Sequence, residues 1–211
     1  MSLISEVEVP SSDTRGRLIC AASEAFFADG YRASMDDIAT RAGVAKQTLY
    51  NHFASKDVLF GEVVRISTQG ILVSLDGDGG DLRATLIRFA IAFRATALGA
   101  RCIAMYRTLI TESTRFPLLA RAVYEVGPGT AIRQLASLLD KAMQAGELRR
   151  DTPDFAAEML LGMLSGAERT RYLLGIEQAL PEDDEARSER IVDCFLRRSE
   201  EHTSELQSLA Y

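Results

Sequence analysis

Between Lys46 and Lys56 the chain sets out Lys, Gln, Thr, Tyr, Asn, His, Ser and Lys with no Asp or Glu among them. The chain's one Asn (Asn51), two of its three Lys and one of its two His fall in this window, which carries a net charge of +2. Lys46, Gln47, Thr48, Tyr50, Asn51, His52 and Lys56 offer ammonium, amide, hydroxyl and imidazole groups on about two helical turns. Phosphate contacts and base-edge readout require those groups. A helical hairpin that merely packs would not need this enrichment.

The preceding residues can position them. Ile38, Ala39, Ala42, Gly43, Val44 and Leu49 fit a helix-turn-helix, with a small residue where two helices touch and Gly in the turn. Upstream, Leu18, Ala21 and Ala25, with Ile19, Ala22 and Phe26, recur at three and four spacing and predict a first helix. Ser11, Ser12 and Asp13 are cap residues before it, and Gly30 is its stop. A helix from Met35 to Ala42 follows, with Ser34 and Asp37 spaced as a capping box. Further helices are expected at 45–52 and, capped by Ser55, at 55–74. The run from Asp76 to Asp81 reads as a flexible solvated turn. As a calcium loop it fails, because Gly80 and Ile87 stand where ligands are needed. Beyond it, helices are expected at 82–98, 101–113, 117–126, 130–145, 153–175 and 185–197. The breaks are Gly99, Phe116-Pro117, Gly127-Pro128-Gly129, Gly146 and Thr152-Pro153. No strand or internal repeat stands out. The fold class expected is all-α, about nine to ten helices. The turn at 76–81 divides a smaller N-terminal unit, which ends in a connecting helix over 55–74, from a larger domain over 81–197.

Composition narrows the function classes. A hydrophobic share of 47% and a charged share of 26% over 211 residues exclude a disordered polymer, a fibrous repeat and a disulfide-stapled mini-protein. Cys20, Cys102 and Cys194 are too few and too scattered for a disulfide framework or a zinc site. With no basic-then-apolar leader and no uninterrupted apolar run of roughly 18 residues, a cytoplasmic location without a membrane partner is expected. The net charge of −6 is concentrated at one end: residues 182–211 hold nine acids against four bases, leaving −1 for the first 181. The acidity therefore does not argue against nucleic acid. Enzyme chemistry lacks its parts. His52 lies inside the basic window, and there is no paired His/Glu metal spacing, nucleophile elbow or phosphate-cradling Gly loop. No cofactor and no metal are expected.

The stretch from Phe27 to Phe60 closely resembles the DNA-binding domain of TetR-family transcriptional regulators. It contains Phe27-Ala28-Asp29-Gly30-Tyr31, Met35-Asp36-Asp37-Ile38-Ala39, Ala42-Gly43-Val44 and Gln47-Thr48-Leu49-Tyr50-Asn51-His52-Phe53. The resemblance spans residues 12–60, and from Leu82 to Leu174 the chain is most similar to the AefR-like subgroup. It implies that Lys46, Gln47 and Thr48 begin the recognition helix, where side chains reach major-groove edges. It implies that Tyr50, His52 and Lys56 touch phosphate, and that Ser34 and Thr48 offer hydroxyls to phosphate near helix N-termini. Leu49 and Phe53 read as core, and Tyr31 as either core or a backbone contact. Separately, the run from Arg198 to Ser208 resembles a translated sequencing adapter, so residues 198–211 are expected to be a non-native tail.

One recognition helix reads too few bases for genomic specificity, so a homodimer is expected on a palindromic operator. Residues 155–174 are apolar on more than one face, with Gly162 and Gly166 permitting close approach. The expected dimer interface is Met159, Gly162, Met163, Gly166, Ile191 and Phe195, since the resemblance puts the dimer's helix bundle on the last two helices. The resemblance also implies a small-molecule effector. Candidate pocket residues are Phe89, Phe93, Met105, Tyr106, Leu109, Phe116, Tyr124 and Met163, with Arg107 or Arg169 as polar anchors. Such Met and aromatic walls suit an apolar or aromatic effector. The function expected is a ligand-responsive repressor. The alternative is a helical ligand- or protein-binding module without DNA function.

Overall fold

The computed structural model describes residues 13–75, 81–176 and 179–200. Ser11, Ser12, the turn residues from Asp76 to Gly80 and the tail beyond Glu200 lie outside the described residues. Among the described residues there are ten α-helices, two short 3-10 segments and no strand.

Helix α1 (Thr14–Asp29) opens where the Asp13 carboxylate accepts from the Gly16 amide at 2.6 Å, satisfying a donor the helix leaves free. It closes at Gly30, which has φ 61° and leads into a 3-10 turn over Gly30–Arg32. A side chain at Gly30 would meet a second obstacle, because its Cβ would stand 2.8 Å from Thr108 Oγ1. Helix α2 (Met35–Arg41) is capped by Ser34, whose Oγ accepts from the Asp37 amide at 3.0 Å. Gly43, at φ 65°, makes the turn into α3 (Lys46–His52), and the Val44 amide returns to Ala39 O at 3.0 Å. Helix α4 (Lys56–Leu72) runs on into the second 3-10 segment, Val73–Leu75. Then come α5 (Leu82–Ala97), α6 (Ala100–Glu112), α7 (Pro117–Val126), α8 (Pro128–Ala145), α9 (Pro153–Leu173) and α10 (Asp184–Glu200).

Several boundaries shift by one to three residues from the sequence expectation, and two of the shifts bear on its readings. Helix α8 starts at Pro128 rather than Thr130, because Gly127 alone breaks the chain and Pro suits a first helical position. Helix α10 carries Arg198, Ser199 and Glu200, so the first residues of the expected tail are helical. Ser199 O there accepts from the Arg149 amide at 2.9 Å.

The helices pack as two units. The first comprises the described residues up to Gly70 together with Arg101–Gly127, so α6 and α7 join α1–α4 although the chain places them after α5. The cause is apolar: Leu119 and Val123 of α7 are buried with Leu18, Phe26, Ile38, Leu49, Phe53 and Phe60, and Met105, Leu109 and Phe116 pack against that cluster. Phe60 meets Phe26 edge-on at 4.9 Å and Tyr31 at 5.5 Å. The window Lys56–Leu75 is long and apolar enough to cross a membrane by length and composition, but it contains Glu62 and Arg65, and Leu59, Phe60 and Val63 are core.

Glu62 ties this unit together. Its carboxylate accepts from Arg65 at 2.8 Å and from Arg15 of α1 at 2.6 Å. The Arg65 hydrogen bond, reinforced by Arg15 and opposed by burial, lowers its pKa from 4.5 to about 2. A depressed carboxylate stabilises the fold fully above its unfolded pKa and loses that contribution as pH falls through the folded one. Acidification from about pH 4.5 to about 2 is therefore expected to weaken the α1–α4 contact, and Glu62→Gln to flatten that dependence. Amide exchange in α1 and α4 across this range checks it.

The second unit comprises the described residues of Ile71–Ala100 and of the chain from Pro128 to Glu200, with Leu86, Phe89, Leu135, Leu139, Leu160, Leu164, Val192 and Phe195 in its core. Inside it lies a charge cluster. Arg94 is 1% exposed and donates to Glu168 Oε2 at 3.0 Å, to Leu164 O at 2.6 Å and to the Asp184 carboxylate. Burial opposes its charge, but hydrogen bonds to Asp184 and Glu168 outweigh this and raise its pKa. Gly166 interrupts α9 with φ 41° and ψ −152°, two residues beyond the carbonyl that Arg94 holds.

Candidate nucleic-acid interface

Helix α3 is anchored by Leu49, which is fully buried, and closed by Phe53, which is 2% exposed. The helical period then turns Gln47, Tyr50 and Asn51 to the opposite side, where all three are exposed, as are Lys46 at the start of the helix and His52 at its end. Thr48 sits half-buried on the flank, in the first turn. Thus six of the eight expected DNA-binding residues lie on one seven-residue helix with its apolar side locked into the core.

Their polar groups are arranged rather than merely exposed. Gln47 Nε2 donates to Asn51 Oδ1 at 3.1 Å, one turn along the helix. That leaves Gln47 Oε1 as an acceptor and Asn51 Nδ2 as a donor, the complement an adenine edge requires. Tyr50, at 41% exposure, stands on the same face of the helix.

The cations are distributed differently from the sequence count. Lys56 does not stand on this face as a free phosphate contact: its ammonium donates to Tyr31 O at 2.7 Å, lies 3.4 Å from Ala33 O and sits 4.1 Å above the Tyr31 ring. Burial lowers its pKa, against the pull of Asp57 and Glu112. Its position at the first turn of α4 puts it beneath the 3-10 turn that precedes α2. Lys46 is exposed but paired, 2.8 Å from Asp36 Oδ1 and 3.0 Å from Oδ2. Ser34 also has a structural task, since its hydroxyl donates to Asp37 Oδ2 at 2.6 Å while capping α2. Tyr31, read as either core or contact, is core. It is 8% exposed, its hydroxyl meets Asp57, and burial followed by that carboxylate raises its pKa.

Asp36 was not among the sequence candidates. In the sequence it is simply an acid in the first turn of a helix. Its partner lies ten residues on, across a turn whose angle no periodicity states.

The expected effector residues divide between the two units. Phe89 and Phe93 are buried in the second, their rings 5.9 Å apart. Met105, Leu109 and Phe116 pack against the core of the first, Tyr106 is half-buried, and Tyr124 is 49% exposed. A narrow cleft in the first unit, lined by Tyr31, Phe60, Thr108, Leu109, Glu112 and Phe116, includes only two of them. Of the expected dimer residues, Gly162, Met163 and Gly166 are exposed on α9, and Met159 and Ile191 are half-buried. Phe195 is 1% exposed and belongs to the core of its own unit rather than to an outer face.

The helical hairpin is shared with known proteins. Residues 18–63 match the family model of bacterial regulatory proteins of the tetR family. Residues 84–199 match that of the AefR-like transcriptional repressor C-terminal domain. A crystal structure described as a putative TetR-family transcriptional regulator from Mesorhizobium loti MAFF303099 is 30% identical, with 90% of this chain and 98% of that chain covered and a TM-score of 0.74. A flavonoid-responsive regulator, FrrA, is 32% identical over 88% of this chain and 95% of its own, with a TM-score of 0.68. The HTH-type transcriptional activator FasR of Mycolicibacterium smegmatis is 50% identical over 58 residues, which is 27% of this chain and 26% of FasR. The chain thus matches about a quarter of that relative's length.

Proposed function

Since the chain belongs to the TetR family of bacterial transcriptional regulators, we propose that it represses transcription from a palindromic operator and is released by a small apolar or aromatic effector. The observation that carries this reading is the outward face of α3, where Gln47, Tyr50 and Asn51 stand in register on a helix whose other side is locked by Leu49. Repression is favoured by the match of residues 84–199 to AefR-like repressors, and an aromatic effector by the likeness to the flavonoid-responsive FrrA. FasR is called an activator, so the sign of regulation is tested separately by transcription in vitro.

A second copy is part of the proposal. Two recognition helices about 34–36 Å apart read a palindrome. The exposed stripe of Phe155, Gly162, Met163, Gly166 and Ala167 on α9 is a surface that a second copy would cover. Effector and DNA are then reciprocally coupled, by about 1–3 kcal/mol. Helix α4 is the proposed lever, because Leu59, Phe60 and Val63 are buried in the same cluster as Leu49 of the recognition helix. The protein then works in the cytoplasm, and no catalytic group enters the mechanism.

The assignments of α3 separate by experiment. Tyr50→Ala is expected to weaken binding to every duplex by a similar factor and to leave the salt slope nearly unchanged, since a neutral hydroxyl releases no counterion. Gln47→Ala is expected to relax preference at one base position, at a cost of about 1–3 kcal/mol on the preferred site. Competition titrations with operator and random duplex at several salt concentrations measure both. Uniform loss in the Gln47 variant would remove it from base readout.

A further inference from the structure

The Lys46–Asp36 pair is the feature of this face that DNA binding by a basic helix does not explain. Both side chains are more than half exposed, at 58% and 62%, so the pair is not there to satisfy buried charge. Exposed ion pairs contribute little to folding. Yet the pair neutralises the one Lys of α3, while Lys56 is held by the Tyr31 and Ala33 carbonyls. A protein that needed only phosphate affinity would gain from leaving Lys46 unpaired.

The geometry fits a base edge better than a phosphate. Lys46 begins α3 and Asp36 is in the first turn of α2, so the pair stands at the N-terminal end of the recognition helix, the end that meets bases in a helix-turn-helix. There it presents a cationic donor and an anionic acceptor 2.8 Å apart. A C·G pair presents the complement in the major groove, with the cytosine N4 amino group next to guanine O6 at about 2.9 Å, the length of their own hydrogen bond.

Resting on the reading of this chain as a DNA-binding regulator, we propose that Asp36 and Lys46 together determine specificity for a C·G base pair in the operator half-site. Asp36 accepts from cytosine N4, and Lys46 donates to guanine O6 and N7. Guanine offers the ammonium two adjacent acceptors. An A·T pair splits its acceptors, N7 and O4, to either side of the N6 donor and adds the thymine methyl, so it matches the side-chain pair poorly. The carboxylate acts in the negative sense too. Wherever the helix sits in a wrong register, Asp36 holds Lys46 away from phosphate and repels the backbone itself.

The test uses the full chain and a random-sequence duplex library, with wild type, Asp36→Ala, Asp36→Asn, Lys46→Ala and the Asp36→Ala/Lys46→Ala double variant. Wild type is expected to select a site with one C·G position in each half, at which substitution costs roughly tenfold in affinity. Asp36→Ala is expected to lose that preference while keeping the others, and Asp36→Asn, which keeps an acceptor oxygen but loses the charge, to weaken it. On a single non-selected duplex Asp36→Ala is expected to bind more tightly, with a salt slope steeper by about 1, because Lys46 is released to phosphate. The double variant returns the slope to that of wild type. A merely structural role for Asp36 would shift all positions together, and Ser34, not Asp36, caps α2. Unchanged base preferences in both Asp36 variants would overturn the proposal while leaving the regulator reading intact. A wild-type chain that selects no sequence at all would overturn that reading, and this one with it.

Discussion

Arg94→Ala is expected to destabilise the unit formed by α5, α8, α9 and α10 by about 3–5 kcal/mol, because it strands buried charge. The Glu168 side chain is 6% exposed and that of Asp184 is 13% exposed, so neither carboxylate can recover full hydration when the guanidinium is lost. Leu164 O, just before the break in α9, loses its side-chain donor at the same time. Arg187 stands 3.3 Å from Glu168 but is 42% exposed, and compensates only in part. Removing the cluster rather than breaking it should behave differently. A triple variant, Arg94→Met with Glu168→Gln and Asp184→Asn, is expected to lie much closer to wild type, since the charges leave together. Urea unfolding of both variants measures the contrast. A loss under about 1 kcal/mol for Arg94→Ala would show that the cluster is hydrated in solution.

Phe60→Ala is expected to cost a similar amount, about 3–5 kcal/mol, in the other unit. Phe60 is 1% exposed and lies between Phe26 and Tyr31, with ring planes at 71° and 87° to its own. Both edge-on contacts go with the ring, and the cavity left lies within the apolar cluster. Phe60→Leu refills part of the volume and is expected to lose less. The functional consequence is specific: Leu49, which holds the recognition helix, belongs to the same apolar cluster. Near its lowered melting temperature the Phe60→Ala protein is therefore expected to lose DNA binding together with α1 and α4 order. Melting followed by circular dichroism, with a parallel DNA titration, checks both halves.

Helices were legible in the sequence because their signals are local. The three-four spacing of α1, the Ser34–Asp37 capping box and Gly43 in the turn depend on residues a few positions apart, and each is found where expected. The core role of Leu49 and Phe53 follows from the same periodicity. Pairings across space were not legible. The charge count credits the window 46–56 with two cations, yet Lys46 is bound by Asp36 from another helix and Lys56 by carbonyls of the turn before α2. The grouping of α6 and α7 with the N-terminal helices follows from which side chains Leu119, Val123 and Phe116 meet, and an apolar stripe does not name its partner. For the same reason eight aromatic, Met and Leu residues suggest one pocket, although the packing assigns Phe89 and Phe93 to one unit and Leu109 and Phe116 to the other. The resemblance puts the dimer's bundle on the last two helices and so makes Phe195 partner-facing. It is instead the part of α10 that its own unit buries.

The most direct test is a salt series of equilibrium binding by the full-length chain to the duplex upstream of its own gene, alongside a scrambled duplex of the same length and composition. The expected result is a linear fall of log affinity with log salt on both duplexes, and an affinity for the upstream duplex at least about 10³ times that for the scrambled one. Equal affinity for the two duplexes, or affinity that does not respond to salt, would contradict the assignment of α3 as a DNA-reading helix.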